Sequence, residues 1–223
     1  MRTCSIGRLI REGCLSRFNS YLIPRYTPAD VARFYLDSPE RWGKSLVYFH
    51  TIADCLDFKT LMAEGGVDVE VVTAESDKDR QLRRFLDNKV GVVANVGMLT
   101  EGFDQPDVTS VFVRDASRLP TIQMCGRGLR IAPGKDACNI VQSINTKYLF
   151  ERVAPPKNMF RFQQGHWLAL MDGTKEIEDT IHRTQELMEK IQDLPRRQGR
   201  RLGSGRPRRA ERVRDRADDF DFW

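Results

Sequence analysis

Apolar residues cluster along this chain in short runs separated by stretches of helical spacing. SLVYF (45–49), VEVV (69–72), VGVVAN (90–95), SVFV (110–113) and CNIVQ (138–142) are four to six residues long and rich in β-branched side chains. Runs of that kind, lacking a strict apolar–polar alternation, read as strands buried on both faces. Thr27-Pro28-Ala29-Asp30 opens a helix, with a capping hydroxyl, a proline at the first helical position and an acidic residue in the first turn. That helix runs to about Leu36 and stops before Pro39. Further helical spacings run from Ala53 to Glu64, ending at Gly65-Gly66, from Asp77 to Asn88 behind a capping Ser76, and from Thr121 to Leu129. Strands alternating with helices, joined by right-handed crossovers, predict a doubly wound parallel α/β sheet with flanking helices over residues 41–150. In such sheets the functional loops lie beyond the carboxyl ends of the strands.

The flanks differ from this body. Residues 1–40 read as a connector and entry helix. Residues 151–193 hold an aromatic-rich segment, PPKNMFRFQQGHWLAL (155–170), followed by an amphipathic helix from Thr174 to Leu194. Phe160, Phe162 and Trp167 either stack on exposed bases or, as large aromatics more often do, anchor a core. The net charge of +5 comes from the end of the chain. Ten arginines against Glu211 and Asp215 fall between Leu194 and Ala217, the last six residues (DDFDFW) carry three aspartates, and residues 1–193 are neutral. The segment 194–223 has too few apolar residues to offset its ordering entropy and is expected to be a disordered basic tail with an acidic tip. It reads as a nucleic-acid arm, because arginines that neutralise phosphates release counterions, or else as a solvated linker. No stretch approaches the ~20 consecutive apolar residues of a membrane-spanning helix, so no membrane partner is expected. Arg8 and Arg11 interrupt any signal-peptide core. Five cysteines, an odd number without a C-x-x-C, suit free thiols in the cytoplasm, and three scattered histidines suit no metal site.

A nucleotide-binding α/β domain invites a search for a P-loop. Its nearest counterpart, Ser38-Pro-Glu-Arg-Trp-Gly43-Lys44-Ser45, has serine for the first glycine and leads from a helix into a strand. A phosphate cradle needs the reverse order, so that its amides and a helix N-terminus face the anion. A Walker B strand is missing too: Val113-Arg114-Asp115 ends in an aspartate, but the arginine interrupts the apolar run and no glutamate follows. The groups that hold Mg²⁺ and activate water are therefore absent from these residues, and the chain alone is not expected to turn over ATP.

Two segments carry the remaining chemistry. One is Thr100-Glu-Gly102-Phe-Asp104-Gln-Pro106; the other is Gln123-Met-Cys-Gly126-Arg127-Gly128-Leu-Arg130. Arg127 and Arg130, three apart on the predicted helix, would project from one face at the active edge, and planar guanidiniums suit a triphosphate. Gly126 and Gly128 cost roughly 1 kcal/mol each inside a helix, so some close backbone approach should require them.

These segments resemble motif V and motif VI of superfamily 2 DEAD/DEAH-type helicases, and SLVYFHT (45–51) is similar to motif IV; together they span about residues 40–145. The resemblance implies a single RecA-like fold, the C-terminal helicase domain. It implies that Arg127 and Arg130 are arginine fingers, with Gln123 beside the nucleotide. Gly102, Asp104 and Gly126 would line the ATP cleft, Asp104 toward a ribose hydroxyl. Thr51, Thr73, Asn95 and Thr100 would touch a DNA or RNA backbone, although each also suits a cap or turn. ATP with Mg²⁺ would be held by a first RecA-like lobe carrying Walker A and B on another chain. The alternative is a non-catalytic nucleic-acid-binding module derived from such a lobe.

Overall fold

The computed structural model describes residues 5–97 and 105–171. All of them lie in one unit, Met1–Arg183, and a second unit, Thr184–Trp223, falls outside the described residues. So do the helix expected over 174–194, the basic tail, and Thr100, Gly102 and Asp104.

An eight-stranded sheet organises the unit. Its strands are β1 (Arg17–Ile23), β2 (Ser45–Tyr48), β3 (Val69–Val72), β4 (Val92–Asn95), β5 (Ser110–Val113), β6 (Ala137–Ser143), β7 (Asn158–Gln163) and β8 (His166–Met171), in the spatial order β3-β4-β2-β5-β6-β1-β7-β8. Neighbours pair in parallel except β7 and β8, which form an antiparallel hairpin. The five strands expected from apolar runs are all present, two of them with the expected bounds. Three further strands extend the sheet beyond β6. β1 comes from the segment read as a connector, and its register sets Asn19 against Asn139 and Asn158. Asn19 donates to Asn139 Oδ1 at 3.0 Å, and Asn158 donates to Asn19 Oδ1 at 2.9 Å. This ladder satisfies polar groups that would otherwise interrupt the sheet.

Successive strand residues point to opposite faces, and two cores result. Leu46, Tyr48, Val111, Val113 and Ile140 face α5 (Lys78–Leu86, through Phe85) and α6 (Arg118–Gly126, through Met124 and Cys125). Ile6 and Ile10 of α1 (Ile6–Arg11) also pack on this side. Val47, Phe112 and Val141 face α2 (Pro28–Asp37), α3 (Pro39–Trp42) and α4 (Ile52–Glu64). The aromatic-rich segment joins this second core: Phe160 stacks on Tyr21 at 4.7 Å, Phe162 meets Phe34 edge-on at 4.6 Å, and Trp167 sits 5.1 Å from Tyr21. Contacts of this kind add to plain area burial, so these rings serve packing rather than base stacking.

Helix ends follow local chemistry. The Thr27 side chain accepts from Asp30 N–H and caps α2 as expected. Asp77, not Ser76, caps α5; the Ser76 hydroxyl instead donates to Thr73 carbonyl and Gln81, pinning the turn after β3. Among the described residues, no helix is long and apolar enough to cross a membrane.

Candidate functional site

The site grows from the end of α6. This helix begins at Arg118 and ends at Gly126, three residues earlier at each end than its apolar spacing predicts. Arg127 is therefore the C-cap, still in helical geometry, and Arg130 lies beyond the helix. Tight i→i−3 bonds link Arg127 N–H to Met124, Gly128 N–H to Cys125 and Leu129 N–H to Gly126. The expected arrangement of two guanidiniums on one helix face thus becomes an arginine at the helix end and a second on the turn that follows. Both are half-buried, and Gln123, on the helix itself, is exposed.

The two glycines differ in purpose. A Cβ on Gly128 would lie 2.3 Å from Cys138 Sγ and 2.6 Å from Val111 Cγ2, so the turn lies flush on β5 and β6. A Cβ on Gly126 would meet nothing within 4 Å. That glycine opens on a cleft of about 410 Å³ lined by Cys14, Leu15, Pro106, Gly126, Arg130 and Ile131.

Placement along the strands also departs from expectation. Gly128 packs on the second residues of β5 and β6, and Leu129 carbonyl accepts Ser16 N–H just ahead of β1. Because α6 starts beyond the carboxyl end of β5 and runs back along it, the arginine turn reaches the amino edge of the sheet. There Lys135, on the loop into β6, donates to the carbonyls of Pro106 (3.0 Å), Gly128 (2.6 Å) and Arg130 (2.9 Å). Lys44, from the false P-loop, lies at the same edge, bonded to Asp107 at 3.0 Å and Asn88 at 2.8 Å. Gln105 donates to the same Asp107.

Tyr48, the last residue of β2, shares a core with Met124, Cys125 and Leu129. Its hydroxyl is buried without a hydrogen-bond partner among the described residues. Burial pushes its phenol well above the ordinary range, and the positive charge of Arg127 draws it partly back. The phenol is therefore neutral, and it brings no negative charge to compete for the guanidinium.

The carboxyl edge holds the other predicted group. Thr51 caps α4 in a reciprocal box, accepting Asp54 N–H at 3.0 Å while Asp54 accepts Thr51 N–H at 3.2 Å. Thr73 accepts Glu75 N–H in a turn. Asn95 is 2% exposed, and its amide donates to Val47 carbonyl, so its side chain ties β4 to β2 instead of meeting a partner directly. The structure thus brings Gln123, Gly126, Arg127 and Arg130 together at one edge and sets Thr51, Thr73 and Asn95 at the other. Two residues there escaped the sequence reading: His50 and Arg114, 3.4 Å apart, with Arg114 also donating to Asp115 carbonyl. Tyr48, at the carboxyl end of β2, escaped it too, as did Lys135 at the amino edge. Its clue was Gly134-Lys135 in the turn into a strand, and SLVYFHT already held Tyr48. No group of three or more His, Cys, Asp or Glu suited to a metal occurs among the described residues.

No protein-family model matches the chain. Over 89 residues it is 33% identical to a Saccharomyces cerevisiae protein named as an ATP-dependent helicase, IRC3; the match covers 38% of this chain and 13% of that one. Over 121 residues it is 28% identical to a Schizosaccharomyces pombe protein named as a mitochondrial ATP-dependent helicase, irc3, covering 50% of this chain and 19% of the relative. The chain therefore spans less than a fifth of either relative. Among solved structures, the C-terminal domain of S. cerevisiae Dbp5, a DEAD-box protein, superposes with a TM-score of 0.51 at 15% identity, covering 77% of this chain and 99% of that domain. That likeness is one of fold: the RecA-like α/β fold of a helicase C-terminal domain.

Proposed function

We propose that this chain, which has the RecA-like fold of a helicase C-terminal domain, acts as the second motor lobe of an ATP-dependent nucleic-acid helicase or translocase. Arg127 and Arg130 reach the phosphates of ATP bound with Mg²⁺ on a first RecA-like lobe, where guanidiniums stabilise charge on the transferring phosphoryl. Gln123 lies beside the nucleotide and Gly126 leaves room for it, and the motif V resemblance assigns Gly102 and Asp104 to the nucleotide as well. The carboxyl edge, with Thr51 and Thr73 at its surface and Asn95 bracing it from within, follows a DNA or RNA backbone, and the motif V resemblance adds Thr100 as a further contact. The basic tail adds affinity that is independent of sequence. The observation that carries this reading is the arginine turn itself: a Gly-Arg-Gly-Leu-Arg segment held on the sheet by backbone bonds, within a fold shared with helicase second lobes. Retention of an ATP-facing set argues against a pure nucleic-acid tether, which has no use for one.

ATP turnover tests the proposal, measured with single- and double-stranded nucleic acid for the chain with and without a first lobe carrying Walker A and B. Turnover is expected only with that lobe, and Arg127→Ala should lower it by ~10³-fold. Turnover indifferent to Arg127→Ala overturns the motor role. No turnover with any first lobe, alongside salt-sensitive binding, leaves the nucleic-acid-binding module.

A further inference from the structure

Beyond Arg127 the regular i→i−4 ladder of α6 ends, and i→i−3 bonds hold the backbone only as far as Leu129. Three successive carbonyls of this segment are nevertheless engaged. Leu129 carbonyl accepts Ser16 N–H at 2.7 Å, while those of Gly128 and Arg130 accept the Lys135 ammonium at 2.6 and 2.9 Å. The same ammonium reaches Pro106 carbonyl at 3.0 Å, at the end of the TEGFDQP segment. An ammonium has three donors, and all three are spent on backbone oxygens.

From this geometry we infer that Lys135 is the positioning residue of the site, clamping the arginine turn to the segment that leads into β5 so that both arginines are presented in one fixed arrangement. The inference rests on the motor-lobe reading for its catalytic consequence, not for the clamp. With no donor to spare, Lys135 does not bind the nucleotide. It acts through Arg127 and Arg130. Its neighbours Asp107 and Cys138 offset part of the desolvation that lowers its pKa. Arginine fingers act on the transition state, so a loosened clamp should lower kcat and leave KM for ATP nearly unchanged. Small misplacements of a catalytic group cost up to ~10²-fold.

The test compares Lys135→Met, which keeps the stem and removes the donors, with Lys135→Arg, which restores them, using the full chain with a first lobe carrying Walker A and B. Lys135→Met should lower kcat about 10- to 100-fold with KM for ATP within about threefold, and Lys135→Arg should recover most of the loss. Amide hydrogen exchange of the chain alone should show residues 105–109 and 126–131 loosening together in Lys135→Met while β2 and β5 stay protected. Wild-type kcat together with wild-type exchange in Lys135→Met overturns the inference. Turnover that ignores Arg127→Ala would defeat the motor-lobe reading instead; the exchange data then decide the clamp alone, loosening supporting it and unchanged protection overturning it. If Lys135→Met fails to fold by thermal melting, Lys135→Gln replaces it under the same criteria.

Discussion

Two glycines, two positions apart in one turn, separate packing from access. Gly128 faces Cys138 and Val111 at distances no real Cβ occupies, and both neighbours are fully buried. Gly128→Ala should therefore force the turn off the sheet and cost about 1–3 kcal/mol in urea unfolding, as overpacking typically does. Gly126 ends α6 with open space where its Cβ would go, so Gly126→Ala should leave stability unchanged or slightly raised. If the cleft beside Gly126 receives the nucleotide, that same variant should raise KM for ATP in the assembled motor. The two glycines were visible in the sequence as a pair needing close approach, but their different tasks were not. Which atoms lie opposite each depends on strands ten residues away and more. Lys135 was hidden for another reason: its partners are carbonyl oxygens, which every residue carries, so no side-chain pattern marks the site.

At the scale of elements, apolar periodicity revealed the strands buried by aliphatic residues on both faces and missed those stabilised in other ways. RFNSYLI in β1 places Asn19 and Ser20 in mid-strand, and only the ladder to Asn139 and Asn158, with Ser20 donating to Glu151 at 2.6 Å, makes those polar groups acceptable. Partners 120 and more residues distant leave no local signal. The loops at the carboxyl edge show the same long-range logic. Asp115, after β5, accepts Lys147 N–H at 2.6 Å and the Thr146 hydroxyl at 3.1 Å, tying that loop to the one after β6. Partial desolvation raises its pKa, but those hydrogen bonds and the Lys147 charge outweigh it and hold the carboxyl below its ordinary value. Asp136, bonded to Lys157, is lowered as well. A depressed folded pKa means that the native state binds fewer protons than the unfolded chain. The stabilisation is then complete above the unfolded carboxylate pKa, about 3.9, and is lost as pH falls through the folded value. Urea midpoints should thus fall below about pH 4, and Asp115→Asn should flatten the fall, converging with wild type at the acid end. Parallel curves for the two proteins would show that this loop tie carries none of the acid sensitivity.

Across the whole molecule, the chemistry divides between the two edges of one sheet. The arginine turn, Lys135 and the open cleft lie at the amino edge, while His50, Thr51, Thr73 and Arg114 lie at the carboxyl edge. A lobe working between a nucleotide and a nucleic acid needs both, because motion driven at one edge must be carried by a rigid sheet to the other. The asymmetry of charge adds a separable contribution: residues 1–193 are neutral, so the lobe itself should show weak salt dependence set by a few edge contacts. The ten arginines between Leu194 and Ala217 should dominate binding to duplex DNA, since each phosphate neutralised steepens the slope of log K against log salt by about 0.9. If about half of them engage, removal of residues 194–223 should flatten that slope by about 4 to 5 and weaken binding at low salt far more than at high salt. Stimulation of ATP turnover by saturating nucleic acid should survive the deletion, because the edge proposed to follow the backbone remains. Fluorescence anisotropy titrations of the full and shortened chains between 50 and 200 mM salt, with turnover assayed in parallel, separate the two contributions. An unchanged slope would assign the affinity to the folded lobe, and lost stimulation at saturation would make the tail part of the motor's track.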